Sequence, residues 1–289
     1  MLVAACVKYV DLRPQVDRLT GHVTDGGTSG WSAADLAAVE TALRLGETWS
    51  APVAVVSAAP ESADAALREF RAVGVDRVVR VELGLEAGVE LESSDVANVL
   101  SDTLRSLDAS VVCCGDYSAD RGSGSVPAYL AHGLGAAQAL GAVEVHTEGP
   151  GSLRLVRRLD GGRREQLVVD APCVISVEGS VAELRRASLG ATLAARDAPI
   201  DVAPVPGLHG HASPVTRPWS PPARVQPAPA GDAALQRVVE LTGALVERTP
   251  PRTVELSADD AAELILDQLR AWGYLESSAQ ESSERESSA

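Results

Sequence analysis

Up to about residue 135 the chain repeats one pattern. A short apolar run rich in Val and Ala gives way to a longer stretch whose apolar residues recur at helical spacing. LVAACVKYV (2–10), PVAVVSAAP (52–60), RVVRVE (77–82) and VVCCG (111–115) read as buried strands, being too short for helices and largely without polar alternation. Between them, SAADLAAVETALRL opens with Ser32 and Asp35 in a capping-box spacing and repeats Leu36, Val39 and Leu43 on one side. ADAALREFRAVG (63–74) closes on Gly74, and SSDVANVLSDTLRSL (93–107) carries Val96, Val99, Leu100 and Leu107 on one side. A strand that returns by way of a helix re-enters its sheet in the same direction, so this alternation implies a parallel sheet covered on both faces. The expected fold class is α/β: Rossmann-like, doubly wound and mostly parallel.

After about residue 140 the texture changes. AVEVHTEG, SLRLVRRLDGGRREQLVVD and APCVISVEG resemble neighbouring strands, with Asp160-Gly161-Gly162 as the turn of an added antiparallel hairpin. Repeated prolines over 199–231 read as an extended linker. Helices are expected at about 232–247 and 257–272, followed by the polar, repetitive ESSAQESSERESSA, expected to be disordered. The organisation so read is an α/β domain over 1–198, a linker over 199–231, a helical arm over 232–275 and a tail over 276–289.

Charge and composition narrow the function. Lys and Arg number 25 against 40 Asp and Glu, a formal balance of −15 that repels phosphate backbones. Aromatic residues make up only 3%, too few for a base-stacking platform, so no nucleic acid is expected as a partner. Cys6, Cys113, Cys114 and Cys173 lie in apolar runs without metal spacing and read as buried thiols in a reducing compartment. The opening MLVAACVKYVDLRP is too short to span a membrane and lacks a basic start and cleavage site, so a cytoplasmic protein without membrane insertion is expected.

The informative loop is GDYSADRGSGSV (115–126), between the fourth strand and a helix near 124–133. Open parallel sheets bind ligands at the carboxyl ends of their strands. Gly122 and Gly124 let backbone amides approach an anion, while Ser123 and Ser125 add hydroxyls beside the free amides of the next helix. Asp120 suits a ribose hydroxyl. The plainer reading is a capped, flexible turn. The P-loop motif, the G-x-G-x-x-G fingerprint after the first strand, the G-x-S-x-G elbow and the S-G-G-x-D-S motif are all absent.

VAACVKYV, Thr24-Asp25-Gly26, AVETALRL (38–45), the 54–82 run with Gly74-x-Asp76-Arg77, the loop retaining Gly115 and Asp120, Leu159-Asp160-Gly161-Gly162, ELRRASLG (183–190) and the closing SADDAAELILDQLRAWGYL together resemble the electron transfer flavoprotein beta subunit family. The usual N-P-F-D-E helix start reads Ser32-Ala33-Ala34-Asp35-Leu36 here, and the loop glutamines are lost. The resemblance covers about residues 1–275.

It implies an adenine nucleotide alpha hydrolase-like sheet with a C-terminal helical arm, paired with an alpha subunit in a heterodimer. FAD would be held mainly by that partner, and AMP by this chain. The implied AMP contacts are Cys6 through its backbone, Ala58, Gly115, Asp120, Ser123, Gly124, Ser125 and Val126. Arg13 falls where the family sets a residue against the flavin ring; it either places positive charge there or points to solvent. Val181 falls in the loop that docks partner dehydrogenases. The implied role is an electron carrier, not an enzyme, between a flavin dehydrogenase donor and a quinone-linked acceptor. A flavin-free regulatory or scaffold protein on the same fold is the alternative. His209-Gly210-His211 lacks companion metal ligands, and Trp219 and Trp272 are candidate anchors on another subunit.

Overall fold

The computed structural model describes residues 1–24, 26–84, 89–205, 211–212, 228–229, 231–243, 253–272 and 274–275. Within these the chain divides into two compact units, Met1–Ser220 and Pro221–Ala289.

The first unit is built on a nine-stranded sheet. Its strands are β1 (Leu2–Cys6), β2 (Val53–Ala58), β3 (Arg77–Glu82), β4 (Ala109–Gly115), β5 (Ala137–Gly149), β6 (Ser152–Arg158), β7 (Arg164–Asp170), β8 (Cys173–Val177) and β9 (Asp201–Pro204). They lie in the order β7-β6-β5-β8-β4-β1-β2-β3-β9. Every pairing from β5 to β9 is parallel, while β6 and β7 add an antiparallel hairpin at one edge. The helices are α1 (Ala33–Trp49), α2 (Asp64–Ala72), α3 (Ser93–Ser106), α4 (Val126–Leu134) and α5 (Leu189–Ala195).

The central strands are apolar on both sides because both sides are covered. Val3 and Ala5 of β1 pack in one core with Val39 of α1 and Phe70 of α2; Ala4 and Cys6 pack in the other with Leu104 of α3 and Leu130 of α4. Alternate residues of β4 divide in the same way. With so few aromatics, Tyr9, Trp31 and Phe70 form a chain of ring contacts, each 5.2 Å between centroids, pinning the start of α1 to the core. Such pairs add about 0.5–1.5 kcal/mol beyond their buried area.

Several expectations need correction. The first strand stops at Cys6 instead of running to Val10. Val7 is still held, its amide donating to Val56 O and its carbonyl accepting from Ser57 Oγ at 2.8 Å, but Lys8 turns its amide to Asp35 Oδ1. Val10–Asp11 then pairs antiparallel with Ser29–Gly30 in a separate ribbon. Residues 201–204, within the stretch read as linker, are strand β9 and pair parallel with β3. Pro204 is tolerated there because β9 is an edge strand. Helix α5, for which the sequence gives no expectation, is capped by Ser188 Oγ accepting from the Ala191 amide.

The second unit holds α6 (Ala234–Thr242) and α7 (Ala258–Ala271), the latter capped by Ser257. His209, Gly210, Trp219 and the 276–289 tail lie outside the described residues. Among the described residues no helix is long and apolar enough to cross a membrane, and no group of three or more His, Cys, Asp or Glu side chains is arranged to hold a metal.

Candidate functional site

After β1 the chain adds β2 and β3 on one side, then crosses back to lay β4 on the other. The reversal leaves a crevice at the carboxyl ends of β1 and β4, the place where open α/β sheets bind ligands. A cavity of about 380 Å³ lies there. It falls within the ~300–1,000 Å³ of small-molecule clefts.

Backbone geometry makes this space. Gly115 ends β4 directly beneath the start of α1: a Cβ there would stand 3.0 Å from the Ala34 carbonyl carbon and Cβ. The loop beyond curls back on itself, with the Gly122 amide donating to Ser118 O at 2.9 Å and Ser123 Oγ 3.1 Å from Ser125 Oγ. Gly124 has a φ of +59°, and a Cβ on it would come within 2.4 Å of Asp116 O. Only glycine combines that left-handed backbone with so close an approach. Ser125 is then the N-cap of α4, with Pro127 in the first turn where no amide partner is needed. Nearby hydroxyls and the first amides of α4 form an anion-favouring end worth roughly 0.3–1 kcal/mol even in an exposed setting.

The charged groups come from distant parts of the chain. Lys8 Nζ, just beyond β1, lies 2.6 Å from Asp120 Oδ2. Burial alone would raise the Asp120 carboxyl, but the Lys8 ammonium and the Ser118 hydroxyl outweigh it and hold it below the usual range. Arg121 Nη1 donates to Leu91 O at 2.8 Å, tying the loop to the approach to α3. Asp35 lines the cavity from α1 and is buried; its Oδ2 accepts from the Ser32 hydroxyl at 2.7 Å and from the Ser32 amide at 3.1 Å. Burial, only partly opposed by Ser32 and Lys8, pushes its carboxyl up to about 6. The remaining wall is apolar, with Leu83, Leu91, Val96 and Leu100 facing the space.

Of the residues expected from the sequence, Cys6, Ala58, Gly115 and Asp120 line this cavity, together with Ser123, Gly124, Ser125 and Val126. Asp120 faces Lys8, a pairing 112 residues apart that sequence reading did not foresee. Arg13 is not part of the cavity lining. It lies exposed on the ribbon after β1, where Asp11 accepts from the Arg13 amide at 2.9 Å and the Gly26 amide at 2.6 Å. Val181 is half-buried against the core rather than exposed. Its loop is held firmly: the Arg185 amide and guanidinium donate to buried Glu40 of α1, and the guanidinium also reaches Glu47. Asp35, which the sequence offers only as a helix cap, is a site residue not expected there, and Lys8, at one of the converging strand ends, has no local signal for its pairing with Asp120.

A sequence model described as "Electron transfer flavoprotein domain" matches residues 20–208. The electron transfer flavoprotein subunit beta of Homo sapiens is 30% identical over 194 residues, covering 67% of this chain and 75% of that protein. The subunit beta of Syntrophomonas wolfei is 29% identical over 206 residues, 70% of this chain and 79% of the relative. Protein FixA of Bradyrhizobium diazoefficiens is 26% identical over 243 residues, with 77% and 82% covered.

Proposed function

Because this chain belongs to the electron transfer flavoprotein family, among its beta subunits, we propose that it is one half of a heterodimeric electron carrier whose strand-end cavity binds AMP. The family carries electrons rather than transforming a substrate. The observation that supports the nucleotide is the cavity at the β1/β4 reversal, one wall of which is a loop bent by left-handed glycines in front of α4.

In this reading the phosphate sits against the Gly122–Val126 backbone and the Ser123 and Ser125 hydroxyls. Asp120 takes a ribose hydroxyl, and the base enters between Ala58 and the apolar wall. Cys6 and Gly115 contribute backbone at the floor. The donor set suits an adenylate, pairing polar groups on one side with apolar side chains on the other. Lys8 changes partner, releasing Asp120 to the sugar and turning its ammonium toward the phosphate.

FAD is held mainly by the alpha subunit and supplies the electron-transfer chemistry. This chain contributes an edge: Arg13, braced through its backbone by Asp11, offers a guanidinium that favours negative charge on a neighbouring ring. The α6 and α7 unit, carrying exposed Leu235, Val238 and Leu241 on one helix and Leu264, Ile265 and Trp272 on or beside the other, is the proposed arm for subunit contact. The loop around Val181, preset by Arg185, is the proposed docking site for a flavin dehydrogenase donor. A quinone-linked acceptor takes the electrons onward, and a cytoplasmic location suits this exchange.

Co-expression with a candidate alpha subunit tests the reading. The expected product is a yellow complex that releases FAD and AMP on acid treatment. A colourless complex, or a monomer that carries AMP alone, would overturn the carrier role and favour a flavin-free nucleotide-binding scaffold.

A further inference from the structure

Cys6 and Cys114 are register partners on the adjacent parallel strands β1 and β4. Their side chains lie on the same face of the sheet, and both line the cavity. They retain 7% and 4% exposure, whereas Cys113 and Cys173, on the opposite face, retain 0% and 1%. Only the first pair opens on the cavity. All four cysteines are free thiols. Neighbouring strands run ~4.8 Å apart, and a disulfide joins Cα atoms roughly 4.4–6.8 Å apart. The spacing of neighbouring strands thus falls within the Cα range that a disulfide bridges.

We propose that Cys6 and Cys114 form a dithiol modification site at the cavity floor, oxidised by a small hydroperoxide to one intramolecular disulfide when the cavity is empty and shielded when a nucleotide is seated. With hydrogen peroxide, one sulfur attacks a peroxide oxygen, the O–O bond breaks, and a sulfenic acid and one water result. The second thiol then displaces the sulfenic oxygen as a second water while the S–S bond forms. Two thiols lose two electrons and two protons, and one peroxide becomes two waters. The neighbouring Cys6 thiol, and then burial, push the Cys114 thiol up. Oxidation is accordingly slow, which suits a site governed by access.

The shielding rests on the nucleotide reading; the dithiol does not. The test treats the full chain, with its alpha subunit where the complex forms, with hydrogen peroxide in the presence and absence of AMP. Remaining thiols are then alkylated and the digest analysed by mass spectrometry, while calorimetry measures AMP binding on the same sample. The expected product is a Cys6–Cys114 disulfide that is lost in C6A and in C114S and retained in C113S. AMP at about ten times its Kd should slow its formation about ten-fold. A disulfide involving Cys113 or Cys173, or none in a folded wild-type chain, overturns the dithiol. AMP that binds without slowing the reaction overturns the shielding. A disulfide that forms in a chain to which AMP does not bind upholds the dithiol and overturns the nucleotide reading instead.

Discussion

At the scale of single residues, the cavity is governed by groups whose charge depends on their neighbours. Asp35 is the clearest case. Its folded carboxyl titrates at about 6 against an ordinary 3.8, so the folded chain holds that proton more tightly than the unfolded one. Its contribution to stability is fully present below the ordinary value and is lost as pH rises through 6. Asp35→Asn has no such proton to lose. Urea midpoints across that window should fall less steeply for D35N than for wild type, by at most about 3 kcal/mol in total. Lys8 and Asp120 give a second prediction. Asp120→Asn should weaken AMP binding by about 1.5–3 kcal/mol in calorimetry, the worth of a hydrogen bond to a charged group. Lys8→Met should weaken AMP while leaving adenosine, which lacks the phosphate, nearly unchanged. Equal loss for both ligands would place the ammonium elsewhere. Asp120 is legible in the loop as a ribose partner, but its ion pair with Lys8 and the burial of Asp35 are not. A lysine at a strand end and an aspartate at a helix cap look ordinary until the fold brings them within reach of the same space.

At the scale of elements, the sequence was most readable where local chemistry decides the structure. Ser32 and Asp35 do form the capping box of α1, with Ser32 Oγ accepting from the Asp35 amide at 3.1 Å. Ser32→Ala should cost about 1 kcal/mol in thermal or urea unfolding. The Asp160–Gly162 turn likewise joins β6 to β7 as its glycines suggested. Readability failed where tertiary pairing overrides composition. Prolines near residue 204 argued for a linker, yet β9 needs only one side of its backbone to join β3. The short α5 is too brief to carry a long apolar period in its sequence. The loop between β4 and α4 gives the sharpest element-level prediction. Gly124→Ala meets both a left-handed backbone and Asp116 O at 2.4 Å. It should cost ~1–3 kcal/mol of stability and reduce AMP affinity out of proportion to any loss of fold. Unchanged affinity would show that the loop does not grip the ligand.

At the scale of the whole molecule, distant segments are held by few but strong devices. Arg185 fastens the loop after β8 to α1 through Glu40, whose side chain is buried, and Glu47, which is exposed. Arg185→Ala leaves Glu40 with Arg44 as its remaining cation. The expected cost is about 1–3 kcal/mol in urea unfolding, with faster amide exchange across residues 178–188 and weaker donor docking. A variant that retains slow exchange there would separate the loop's order from this clamp. One consequence reaches back to synthesis. The central strand β1 is made first, but its flanking partners arrive with Val53 on one side and Ala109 on the other. A nascent chain must therefore emerge from the ribosome with this apolar strand not fully sheltered until Ala109 and the rest of β4 have followed. Long-range pairing of this kind slows folding and prolongs exposure to aggregation, so chaperone demand should be set by β1, a segment that in the finished protein is buried along all but its first residue.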